Sequence, residues 1–127
     1  MDKTKKLTLE ELVAKKEQAK RDKLAIKDVY VDALGGCLGL QKLPVTRFLS
    51  IMGKYDNENF TEAVACEVEL VYAACPMLQK EALTQDLAEP TDIVLEILGD
   101  DLGALGTLAG AVTGFYGLDE TGDAVKN

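Results

Sequence analysis

The residues best equipped for chemistry in this 127-residue chain are Cys37, Cys66 and Cys75, together with 22 carboxylates. A cysteine nucleophile needs a base that holds it as thiolate, and the usual base is histidine. The chain contains no histidine, so the commonest metal ligand is missing as well. The three cysteines are odd in number, show no CxxC spacing and lie on apolar runs. They read as buried small hydrophobes in a reducing compartment rather than as a disulfide framework. The carboxylates are scattered beside apolar residues, and no spacing supports a site of oxygen ligands. No GxGxxG, Walker, GxSxG, HExxH or EF-hand pattern occurs. Tryptophan is absent and aromatics make up 6% of the chain, which argues against a stacking site for sugars or bases. The expectation is a non-enzyme that needs neither cofactor nor metal.

If the residues do no chemistry, their arrangement must serve binding, and charge is the first guide. The length suits one domain with one modest core. Lys and Arg total 14 against 22 acids, a net charge of −8. That balance disfavours nucleic acid, which demands clustered cations, and an anionic membrane face. Residues 1–27 nevertheless carry nine Lys/Arg and five acids, whereas residues 28–127 carry five and 17. A basic N-terminal segment therefore precedes a body of net −12. The expected division is a charged helical arm over 1–24, a single domain over 25–118 and a flexible tail over 119–127. The arm reads as a solvated helix folded back on the acidic body, or as an arm for an acidic partner. No apolar segment of signal-peptide type stands at the N-terminus.

Local signals supply the elements. Thr8-Leu9-Glu10-Glu11 is a capping box, opening a helix over about 9–23 with a thin apolar stripe of Leu9, Leu12, Val13 and Ala19. Ile26, Val29, Tyr30 and Val31, then Gly35-Gly36 and Cys37 to Leu40, predict a β-hairpin near residues 25–43 with both glycines central in a type I′ turn. Pro44 ends it. Val45 to Met52 form a helical face closed by Gly53. Asn59 caps a helix whose apolar positions are Val64, Val68, Val71, Tyr72 and Cys75, with Glu62, Glu67 and Glu69 on the wet side. Pro76 stops that helix or starts another to about Leu87, and Pro90 suits the first turn of a helix through Ile93, Val94, Ile97 and Leu98. The expected class is α+β, mainly helical with one hairpin.

The C-terminal segment is the most unusual. Gly99, Gly103, Gly106, Gly110, Gly114 and Gly117 recur every three or four residues, one stripe of a helix. Beside it run Leu98, Leu102, Leu105, Ala109, Val112 and Tyr116. Asp100 and Asp101 suit the helix start, and Gly117 suits a left-handed stop. Residues 102–118 are uncharged, but that run of 17 falls short of a bilayer span, and its flanks are acidic. In a soluble helix each internal glycine costs about 1 kcal/mol relative to alanine, so the four within the helix cost about 4 kcal/mol together. Something must pack closely on such a helix: the rest of the domain, or a partner helix. The expected partner face is Leu98, Leu102, Leu105, Gly106, Ala109, Gly110, Val112 and Tyr116.

The order of Leu7-Thr8-Leu9-Glu10-Glu11-Leu12, Ala14-Lys15-Lys16-Glu17-Gln18, Lys27-Asp28-Val29-Tyr30-Val31, Leu34-Gly35-Gly36 and Glu89-Pro90-Thr91-Asp92-Ile93-Val94 resembles the XkdN-like tail assembly chaperones of contractile-tailed phages, PBSX-type prophages and related bacteriocins. The likeness spans about residues 7–118. It implies a non-enzymatic protein of the host bacterial cytoplasm. Such a protein binds the helical tape measure protein, with the tail tube protein as a further partner, and is absent from the finished particle. A structural tube-associated or tail completion protein is the alternative. Exposed hairpin edges and the glycine-faced helix also allow self-association.

Overall fold

The computed structural model describes residues 3–23 and 25–118; the tail expected over 119–127 lies outside the described residues. The fold is α+β and mainly helical, with one antiparallel hairpin. Helix α1, Leu9–Asp22, starts at the capping box, where the Glu11 N–H donates to Thr8 Oγ1 at 3.2 Å. Lys5 Nζ lies 3.0 Å from the Glu11 carboxylate. That contact, helped by hydrogen bonds from Thr8, holds the Glu11 carboxyl below its ordinary range. No residue of α1 is buried. The arm therefore does not fold back onto the acidic body: Leu9 is 77% exposed and Val13 53%.

Strands β1, Ile26–Val31, and β2, Gly36–Gln41, pair with Val29 opposite Leu38 and Val31 opposite Gly36. Side chains alternate as a half-buried ribbon requires: Ile26, Asp28 and Tyr30 point to solvent while Val31 is buried. The turn differs from the expected type I′. Asp32–Leu34 make one turn of 3₁₀ helix, and Gly35 alone is left-handed at φ 65°. Gly36 already belongs to β2. A four-residue loop built this way needs one left-handed residue where the two-residue turn needs two. The ribbon also turns Cys37 outward, so it is exposed, contrary to the expectation that all three cysteines are buried.

The remaining elements are helices: α2, Val45–Gly53; α3, Phe60–Ala74; α4, Glu81–Thr84; α5, Ile93–Ile97; and α6, Leu102–Gly114. Asn59 caps α3, its side chain accepting from the Glu62 N–H at 3.1 Å. Helix α3 is the central post, packed by α2, α5, α6 and the hairpin. No face of it is fully wet past its first turn, and Glu67 and Glu69 on its expected wet side are half-buried. The helix expected from Pro76 to Leu87 is broken. Pro76–Gln79 form a 3₁₀ turn that buries Leu78, and Lys80 is extended before α4. The Gln79 side chain donates to the Tyr72 and Ala73 carbonyls at 2.8 and 3.3 Å, satisfying the C-terminal end of α3. The core gathers Val31 and Leu40 of the hairpin, Phe48 and Ile51 of α2, Leu70 and Val71 of α3, and Leu105, Leu108 and Val112 of α6. Among the described residues no helix is long and apolar enough to cross a membrane.

Candidate functional site

The glycine-rich segment is two helices, not one. Gly99 lies at φ 63° and donates to the Glu96 carbonyl, while Asp100 donates to the Leu95 carbonyl at 2.9 Å. This is the Schellman pattern that ends α5. Asp100 follows at φ 62°, a left-handed position that an aspartate tolerates better than most side chains. The chain then restarts with Asp101 as cap, its carboxylate accepting from the Ala104 N–H at 3.0 Å. The far end closes as expected. Gly117 is left-handed at φ 75°, and Leu118 donates to the Thr113 carbonyl.

This geometry sorts the eight expected partner residues. Leu98, Leu105, Ala109 and Val112 are exposed by 3, 0, 5 and 0%. They face the domain's own core, so the leucine stripe is not a free surface and those four are corrected from docking residues to packing residues. Helical period alone marks an apolar face; it does not say which body covers it. Tyr116 is also structural. Its ring stacks on Phe48 with centroids 4.1 Å apart, and its hydroxyl accepts from the Leu43 N–H at 2.9 Å and donates to the Leu43 carbonyl at 2.8 Å. It fastens the C-terminal end of α6 to the start of α2. Leu102, 44% exposed at the first turn of α6, remains at the surface.

Gly106 and Gly110 behave differently from the leucines. They line an open groove of about 440 Å³ between α3 and α6, with Ala109 and Leu70 at its base and Met52 and Glu67 along its sides. The other two helical glycines have uses inside the subunit. A Cβ on Gly103 would lie 3.3 Å from the Asp101 cap carboxylate, and one on Gly114 would lie 3.2 Å from Lys27 Nζ. That ammonium donates to the Ala111 carbonyl at 3.0 Å and sits over the Phe115 ring at 4.6 Å, neutralising the negative end of α6. Lys27 thus serves the body rather than the arm. At Gly106 a Cβ would meet only Glu67 Oε2, at 3.7 Å, an ordinary contact. No backbone presses on this glycine, so the domain's own packing does not explain it. Gly106→Ala is therefore expected to stabilise the isolated protein by about 1 kcal/mol, through helix propensity alone. Urea unfolding measures this; a destabilised variant would mean that the subunit itself requires the glycine.

Chemical reactivity is low around this groove. Burial pushes the Cys66 thiol up to about 11, with the Glu69 and Glu67 carboxylates adding to the shift, so it stays a neutral thiol at ordinary pH. Burial raises Cys75 too. Among the described residues no three metal-ligating side chains of the His, Cys, Asp or Glu type come together. A compact polar cluster is built on Glu69, whose carboxylate accepts from Lys54 Nζ and from the Tyr55 hydroxyl, each at 2.7 Å. Burial works to raise the Glu69 carboxyl, but these hydrogen bonds outweigh it and hold the carboxyl below its usual range. The bond to Glu69, with burial second, pushes Tyr55 up to about 12. The raised Tyr55 contributes stability below its unfolded pKa of about 10, and that contribution disappears as pH rises through about 12. The lowered Glu69 contributes above its unfolded pKa and loses that contribution as pH falls through the folded value. Following the Tyr55 ring by NMR through an alkaline titration should show ionisation near 12 in the wild type. Glu69→Gln should bring it back toward about 10; an unchanged midpoint would deny the carboxylate this role.

No family model, no curated protein and no solved structure matches the chain.

Proposed function

We propose that this protein is a tail assembly chaperone of a phage or phage-like particle, which holds the helical tape measure protein soluble until tube subunits enclose it. The observation that carries the reading is the division of labour on α6. Leu105 and Leu108 are spent on the domain's own core, whereas Gly106 and Gly110 line an open groove, and a Cβ at Gly106 would meet only the Glu67 carboxylate at an ordinary 3.7 Å. Glycines let a helix backbone approach closely, and a helix laid in a groove is a recurring way to recognise a peptide. The resemblance of the chain to XkdN-like proteins names the client. The thiols held protonated by burial agree with a binding role rather than catalysis. On this reading the protein works in the bacterial cytoplasm and is left out of the finished tail.

Coexpression with the tape measure protein from the same tail gene cluster tests the proposal. The tape measure should move from the pellet to the soluble fraction and copurify with the chaperone. Purified particles should then lack this chain by mass spectrometry. An unchanged tape measure solubility would remove the proposal, and stoichiometric presence in particles would transfer the protein to the tube-associated class.

A further inference from the structure

The arm α1 has the chemistry of a docking helix but touches no core. By the 100° step of a helix, Leu9, Leu12, Val13, Lys16, Lys20 and Lys23 fall on one side of it. That side is apolar in its first half and cationic in its second. Lys20 has a long pairing of 3.7 Å with Glu17, and Lys16 has no ion pair among the described residues. A helix of 14 residues is marginal in water without a packed face.

The body offers a surface of matching character. Between α3 and α5 runs a groove of about 700 Å³, floored by half-buried Val64, Val68 and Leu95. Its rim carries Asp92, Glu96 and Asp100, all exposed and in no ion pair among the described residues. The Glu69 carboxylate at its edge is already held by Lys54 and Tyr55. Residues 3–23 carry eight Lys/Arg against four acids, so arm and groove are complementary in both apolar and charged halves.

We propose that α1 of one copy lies in the α3/α5 groove of a second copy, and the reverse, so that the chain self-associates by reciprocal exchange of its basic arm. Its apolar half covers Val64, Val68 and Leu95, and its lysines meet the rim carboxylates. The arm leaves its own body at the opposite end of α6: Lys23 sits beside Leu43 and Tyr116, whereas the groove opens at Asp100. A two-fold exchange uses both arms and both grooves and closes the assembly. The lysine–carboxylate attraction across this contact is between exposed charges, so salt screens it and the association weakens as salt rises.

Sedimentation equilibrium of the full chain tests this. The wild type should be dimeric at low salt and dissociate at high salt. Lys16→Glu with Lys20→Glu, or Asp92→Lys with Glu96→Lys, should each raise the dimer Kd by about tenfold or more, since like charges then face each other. Mixing the two doubly reversed proteins should restore association, which also shows that both are folded. A wild type that stays monomeric at low salt overturns the proposal, including a monomer whose α1 amides are protected by its own groove. A dimer indifferent to both reversals overturns it too. No client enters this experiment, so its failure is separate from failure of the tape measure reading.

Discussion

Phe48→Ala is expected to destabilise the protein by about 3–5 kcal/mol, the range for removing a buried aromatic ring. Phe48 is 2% exposed and occupies the junction of α2, the hairpin exit and the C-terminal end of α6. Its loss removes more than ring volume, because Tyr116 stacks on it at 4.1 Å and is itself pinned to both backbone groups of Leu43. A cavity there loosens the fastening that holds the C-terminal end of α6 in place. Since small domains are stable by about 5–15 kcal/mol, this one change takes a large share of the total. Urea denaturation followed by circular dichroism measures it. A loss below about 1 kcal/mol would mean that the junction is not closed as described.

The second large effect separates two leucines of the same helix. Leu105→Ala should cost about 2–5 kcal/mol, because its side chain is wholly buried among α3, the hairpin and α6 neighbours. Leu102→Ala, one turn earlier and 44% exposed, should stay within about 0.5 kcal/mol of the wild type. The pair is the sharpest check on which side of α6 faces inward. Equal losses at both sites would require a different rotation of α6 about its axis, and the groove at Gly106 would go with it.

Much of the fold could be read from local chemistry. The Thr8 and Asn59 caps, the Pro44 boundary, the helix start at Asp101 and the Gly117 stop each depend on one residue and its nearest backbone, and all fall where the residues indicate. The failures share one cause, which is tertiary. Gly35-Gly36 fits a two-residue turn, yet the register pairs Val31 with Gly36 and leaves four residues to turn. The apolar stretch after Pro76 has helical composition, but burying Leu78 and capping α3 through Gln79 break it. Gly99 continues the three-and-four spacing of the stripe, and only its carbonyl partners show that it ends one helix before another begins.

The site was legible in type rather than in detail. The glycine spacing marked α6 as a surface of close approach, and three of the eight residues named for that role, Gly106, Gly110 and the buried Ala109 at its base, line an open groove. The leucines and Val112 beside them could not be assigned from period, since a core and a client select the same apolar residues. Tyr116 gave no signal of its clamp, because its hydroxyl bonds a backbone 73 positions away in sequence. The acid-rimmed groove between α3 and α5 was equally hidden, because Val64 and Val68 are brought to Leu95, Asp92 and Asp100 only by the packing of α5 on α3.

Client binding as proposed requires that the glycine face of α6 stay open for a helix from outside the subunit. Gly106→Leu fills that groove from a position with no backbone neighbour, and should leave the isolated protein folded. Copurification of the coexpressed tape measure protein with this variant, compared with the wild type, is the most direct measurement. The prediction is a folded chaperone that recovers little or no soluble tape measure; recovery equal to the wild type would contradict it.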